Sequence, residues 1–146
     1  MGKIIQLKNK NQIFGLRALC QEFANITEKN LNWNHWFGTV GSLFNAKIAD
    51  GLVVLSDNEY VGMLIWSYFP DLISGELSAT ETAFYVKPEF RTNVGSDLLD
   101  KMISICAEKE VINVNMSHFY DSERIGTLYK RKGFIQHETS YVLRVN

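Results

Sequence analysis

The chain has little of what would mark a specialised class. Of its 146 residues only two are proline, Pro70 and Pro88, only two are cysteine, Cys20 and Cys106, and only three are histidine. With no repeat or low-complexity tract, nothing reads as a linker. The expectation is one domain over 1–146, large enough to bury its own core. The cysteines lie far apart and in no Cys-x-x-Cys or Cys/His cluster, so neither a zinc site nor a disulfide scaffold is indicated, and no metal is expected. Each sits among apolar residues, as buried thiols do. An excess of one charge is also missing: fifteen basic and sixteen acidic side chains leave a net −1. Such a balance gives no electrostatic footprint for nucleic acid. No apolar run approaches the roughly 18 residues needed to cross a bilayer, so no membrane partner is expected. The start, Met1-Gly2-Lys3-Ile4-Ile5-Gln6, lacks the apolar core of a signal peptide and the hydroxyl residue of a myristoylation site. A soluble protein of a reducing cytoplasm is the expectation.

What is present is an ordinary globular balance, 46% apolar and 21% charged, which argues against disorder, collagen and coiled coil. Ile13, Leu16, Cys20 and Phe23 recur at helical spacing, with Asn11 placed to cap the helix start. Trp36, Val40, Leu43 and Phe44 repeat the pattern over 34–49, weakened by Gly38 and Gly41 and closed by Gly51. From Leu52 the period changes. Leu52–Leu55, Tyr60–Tyr68 and Leu77–Val86 read as strands, separated by Asp57-Asn58 and by Pro70-Asp71 with Ser74-Gly75. Short turns predict an antiparallel meander. Leu98, Leu99, Met102, Ile105 and Cys106 then mark a helix, Val111–Met116 a strand, and Ser122–Lys132 a short helix closed by Gly133. Phe134–Gln136 and Thr139–Val145 finish as strands. The predicted order is α-α-β-β-β-α-β-α-β-β, with a parallel pairing across the last long helix.

Two segments carry chemistry. In Val86-Lys87-Pro88-Glu89-Phe90-Arg91-Thr92-Asn93-Val94-Gly95-Ser96, a strand ends at a proline and a short polar loop opens a helix. The unpaired amides and positive dipole end of such a junction suit a phosphate or pyrophosphate. Arg91 adds a charged fork, and Asn93 can adopt the left-handed conformation usual for glycine. An ordinary strand-to-helix turn has the same ingredients. In Ser122–Phe134, Leu128-Tyr129 lies one turn before Gly133 and Phe134. By itself that pair reads as core.

Together, and in this order, the segments resemble the GCN5-related N-acetyltransferase (GNAT) superfamily. The first is similar to its acyl-CoA loop, Val-x-Pro-x-(Phe/Tyr)-Arg. The second is similar to its Asn-x-x-Ala-x-x-Leu-Tyr-x-x-x-Gly-Phe helix. The sequence departs from the family where Thr92-Asn93-Val94 fills a usually glycine-rich loop, and where Ser122 and Ile125 stand at the Asn and Ala positions. Loop-trimmed members of this kind occur among phage-encoded acetyltransferases.

The resemblance implies an α+β fold around a mixed, mostly antiparallel sheet of about six to seven strands with about four helices, splayed near the fourth and fifth strands. It implies acetyl-CoA as co-substrate and transfer of the acetyl group to a primary amine by direct attack in a ternary complex. Pantetheine would pair with the main chain of Phe84, Tyr85 and Val86, as an added strand does. The amides of Arg91, Thr92, Asn93, Val94, Gly95 and Ser96 would take the pyrophosphate, with Ser122 on the adenosine side. A lysine-like amine costs roughly 4–5 kcal/mol to deprotonate at neutral pH. A carboxylate therefore assists, and Glu81 is similar in position to the family's base, with Glu76 second. Tyr129 is similar to the residue that protonates the departing thiolate. His118 reads as exposed loop or as a base near the cleft. The acceptor pocket falls on the aromatic-rich first half, with Trp33, Phe37 and Tyr68 lining it and Asp71 attracting a cation; Trp36 and Trp66 read as core. A strand edge at Gly62–Phe69 offers homodimer pairing. The alternative function is a non-catalytic acyl-CoA- or protein-binding module on the same fold.

Overall fold

In the computed structural model, which describes residues 2–119 and 121–146, the central meander forms where the period-2 pattern places it. In chain order the elements are β1 (Lys3–Gln6), α1 (Lys10–Phe14), α2 (Arg17–Ile26), α3 (Trp33–Asn45), β2 (Ala49–Ser56), β3 (Glu59–Pro70), β4 (Leu77–Val86), a 3₁₀ turn (Pro88–Phe90), α4 (Val94–Glu108), β5 (Asn113–Asn115) and α5 (Glu123–Arg131). Asp57 and Asn58 both adopt positive φ, the geometry that lets a two-residue turn follow strand twist from β2 into β3. Between β3 and β4 the Asp71 carboxylate accepts from the amides of Ile73 and Ser74, and Gly75 takes the left-handed conformation.

The sheet runs in sequence order, β1-β2-β3-β4-β5. The first three pairings are antiparallel, and β4–β5 is parallel, joined across α4. One face packs on the helices of the first half, with Ile13, Leu16, Leu19, Trp33, Met63, Ile65 and Tyr85 in a single core cluster. The other carries α4, whose Leu98, Leu99, Met102 and Cys106 stripe is buried. Both cysteines are free and buried.

The chain divides into two compact parts, ending at Asn115 and starting at Met116. The sheet, with five strands and five α-helices among the described residues, belongs to the first part except for α5. The six to seven strands expected from the sequence are therefore not reached. Phe134–Gln136 and Thr139–Val145 form no strand, and Ile135, Tyr141, Val142 and Leu143 are exposed. β-Branched and aromatic composition favours a strand only where a ladder partner and a half-buried face exist. The expected strand Val111–Met116 is limited to Asn113–Asn115 by its short pairing with Ser78–Thr80.

Other local expectations are corrected in the first half. β1 precedes the helices, and the first helical stretch is two helices broken at Gly15–Leu16. The cap is Asn9, not Asn11, in a capping box with Gln12. Gly51 closes no helix. α3 ends at Asn45, with Lys47 left-handed at φ 59 and the Ile48 amide bonded to Leu43 O at 3.0 Å, a Schellman-type end made without glycine. Gly51 lies inside β2, where a Cβ would stand 2.7 Å from Leu7 Cδ1. No described helix is long and apolar enough to cross a membrane.

Candidate active site

The C-terminal half of β4 extends beyond its partner. β5 pairs with β4 only at Ser78–Thr80, whereas β3 pairs along β4 to Val86. The Lys87 amide donates to Val61 O at 2.9 Å. By the alternation of an antiparallel ladder, Tyr85 also turns its main chain to β3, while Phe84 and Val86 turn theirs away. Val86 and Phe84 thus have the direction needed for strand-like pairing with an extended ligand, and Tyr85 does not. The Tyr85 side chain joins the α2 face, its hydroxyl 3.2 Å from Glu22 Oε1.

Glu81 sits at an irregularity in the β3–β4 register, where Ile65 pairs with Ala83 and Trp66 with Glu81. The skipped Thr82 donates its hydroxyl to Ile65 O at 2.8 Å. Opposite Glu81, Trp66 is fully buried. Glu81 is partly buried, and desolvation lifts its carboxyl from 4.5 to about 7. A carboxyl near neutrality is matched to proton abstraction at physiological pH.

After β4, Arg91 caps the 3₁₀ turn and donates its Nε to Val86 O at 2.6 Å. Its guanidinium lies over the Tyr85 ring at 5.4 Å. Thr92 is exposed and Asn93 is the N-cap of α4. Asn93 has φ −109 rather than a left-handed value, because Val94 and Gly95 are already helical and no left-handed residue is required. The first intrahelical bond is Asp97 N to Asn93 O at 2.9 Å. The amides of Val94, Gly95 and Ser96 therefore precede the helix's own bonding pattern, an arrangement chemically suited to an anion.

The second part holds Ser122 and Tyr129. Ser122 is the N-cap of α5 and makes no side-chain capping bond. Tyr129 is buried on α5, and its hydroxyl donates to Ser117 O at 3.0 Å.

Of the aromatic residues expected at the acceptor pocket, Trp33 and Phe37 meet, and Tyr68 lies apart from them. Trp33 is core, stacked on Trp36 at 5.5 Å and on Phe37 at 5.6 Å. Strand alternation places Tyr68 on the opposite, α4 face of the sheet, where its hydroxyl donates to Asp50 and Lys109 lies over its ring. Burial and then the Asp50 bond raise its phenol above the ordinary range. Asp71 binds its own turn, which holds its carboxyl below the ordinary range. Trp66 is core as expected, and Trp36 is partly buried against the core cluster. A cavity of about 360 Å³ lies elsewhere, lined by Gln6, Lys8, Lys47, Asp50 and Lys109 among others. It contains none of the expected site residues. Sequence reading missed the Glu22–Tyr85 and Asp50–Tyr68 pairs, whose partners are too far apart in the chain for any local pattern to join them.

The acetyltransferase (GNAT) family profile matches residues 12–134. No curated protein matches the sequence significantly. Solved structures match closely in shape. A ribosomal-protein-alanine N-acetyltransferase from Brucella melitensis biovar Abortus 2308 aligns with TM-score 0.75 at 18% identity, over 98% of this chain and 99% of that one. AAC(6')-Iy, in complex with the bisubstrate analog CoA-S-monomethyl-acetylneamine, aligns with TM-score 0.80 at 16% identity, over 100% and 99%. An aminoglycoside acetyltransferase from an uncultured soil metagenomic sample, in complex with sisomicin, aligns with TM-score 0.77 at 16% identity, over 99% and 97%. At such identities the likeness is one of fold.

Proposed function

The chain belongs to the acetyltransferase (GNAT) family, and on that premise we propose that it transfers an acetyl group from acetyl-CoA to a primary amine by direct attack in a ternary complex. The observation that carries the reading is the junction from β4 to α4. Outward-turned main chain at Phe84 and Val86 continues into the amides of Val94–Ser96, an order that suits pantetheine followed by pyrophosphate. Arg91 is committed to Val86 O, so the phosphates rest mainly on backbone amides.

In this account Glu81, ionising near pH 7, takes a proton from the acceptor ammonium, directly or through water. The neutral nitrogen attacks the thioester carbonyl carbon. Main-chain N–H groups near Phe84–Val86 stabilise the oxyanion. The C–S bond then breaks, Tyr129 donates its phenol proton to the departing thiolate, and the second proton released by the new amide nitrogen returns through water to the phenolate. Thr92, Asn93 and Ser122 flank the cofactor. Trp33 and Phe37, stacked on each other, are the acceptor-side candidates, Tyr68 and Asp71 being engaged elsewhere. The acceptor class follows those named for the structural relatives, an aminoglycoside or a ribosomal-protein alanine.

Thiol release from acetyl-CoA, measured with sisomicin, an alanine-initiated peptide and spermidine, tests the reading. Acceptor-dependent release with at least one amine is expected. A chain stabilised thermally by a peptide and not by acetyl-CoA is instead the binding module.

A further inference from the structure

Two aromatic rings among the described residues pack on Tyr129. Phe134 lies at 5.5 Å between ring centroids and His118 at 6.0 Å, each tilted. Its hydroxyl is fixed by Ser117 O, so the consecutive residues Ser117 and His118 hold both the oxygen and the ring. His118 is fixed in turn. Its Nδ1 lies 2.6 Å from Phe119 O. A carbonyl can only accept, so Nδ1 carries the proton and Nε2 is the other end of an oriented ring.

That other end occupies a space left by a glycine. A Cβ built on Gly126 would stand 2.7 Å from His118 Nε2 and 3.3 and 3.5 Å from two ring carbons. Gly126 lies inside α5 without positive φ. Glycine there brings no conformational advantage and lowers helix propensity. What it supplies is room for the imidazole.

We propose that His118 is a positioning residue for Tyr129, seated against α5 by the absent side chain of Gly126. The catalytic consequence rests on the reading of Tyr129 as proton donor, whereas the seat itself does not. A phenol must present its O–H in a narrow geometry. Without the imidazole, Tyr129 keeps the Phe134 contact and the Ser117 bond but loses one of the ring contacts that set its angle. Because His118 is exposed and its ring tip is the clashing atom, a methyl at position 126 swings the imidazole away and leaves the fold intact.

A double-mutant cycle of Gly126→Ala and His118→Ala tests this, read by the aromatic NMR resonances of Tyr129 and by thiol release from acetyl-CoA. Each single variant should shift the Tyr129 resonances and lower kcat about tenfold with KM for acetyl-CoA within about twofold, and the double variant should match either single one. Gly126→Ala should not lower the melting temperature, since alanine favours the helix. Unmoved Tyr129 resonances in Gly126→Ala, or losses that multiply in the double variant, overturn the proposal. If Tyr129→Phe retains full turnover while the resonances behave as expected, the positioning stands and the proton-donor reading fails.

Discussion

Arg91 Nε donates to the carbonyl oxygen of Val86 at 2.6 Å, tying the loop before α4 to the last residue of β4. The same guanidinium lies over the ring of Tyr85. Its charge therefore holds the shape of the junction before any ligand arrives. Arg91→Ala should weaken acetyl-CoA binding about tenfold and cost about 1–2 kcal/mol in stability, as expected for a charge-assisted bond to a part-buried carbonyl. Arg91→Lys should restore little, because lysine lacks the planar fork. Calorimetric titration with acetyl-CoA and chemical denaturation measure the two effects.

Glu81 gives a pH signature. Its folded value, about 7, lies above the ordinary 4.5, so folding favours the protonated carboxyl. Below about pH 4.5 both folded and unfolded chains carry the proton and the group is neutral to stability. As pH rises from there through 7, the folded chain must ionise a desolvated carboxyl, and stability falls relative to Glu81→Gln. The deficit at pH 8 should reach about 1–2 kcal/mol, after allowance for partial exposure. Activity runs in the opposite sense: kcat/KM should rise through a limb near pH 7 that Glu81→Gln lacks. Urea unfolding at pH 4.5 and 8 and a pH–rate profile check both.

Tyr129→Phe keeps the ring contacts with His118 and Phe134 and removes the bond to Ser117 O. Turnover should fall about 10²-fold or more while acetyl-CoA affinity is retained. Stability should change by about 1 kcal/mol at most, since Ser117 is exposed and its carbonyl can take water. Steady-state kinetics beside calorimetry separate the two.

Gly51→Ala should destabilise the fold by about 1–3 kcal/mol, an overpacking effect. The new methyl would meet Leu7 Cδ1 at 2.7 Å, Ile65 Cγ1 at 3.2 Å and Phe44 Cζ at 3.3 Å. A lowered denaturation midpoint with an unchanged slope is the expected reading.

Gly51 also shows where sequence alone misleads. Beside a helical stripe it looks like a stop signal, yet its reason is the close approach of Leu7, just past β1, which no local pattern announces. β1 itself is four residues long and exists through its partner β2. Conversely, Asp57-Asn58 and the Leu98–Cys106 stripe were legible because turn chemistry and helical period are local properties. The junction at Val86–Ser96 was legible for the same reason. The acceptor side was not. Tyr68 and Trp33 look alike as aromatic residues near motifs, and strand alternation in β3 sends Tyr68 to the face away from Trp33 of α3. The C-terminal Tyr141–Val145 run has strand composition without a strand, because pairing is a property of two segments.

If the β4–α4 junction holds acetyl-CoA, calorimetric titration of the purified chain should show saturable one-to-one binding with Kd in roughly the micromolar to sub-millimolar range, weakened in Arg91→Ala. Absence of binding heat and of any thermal stabilisation at saturating acetyl-CoA, with the chain folded, would contradict it.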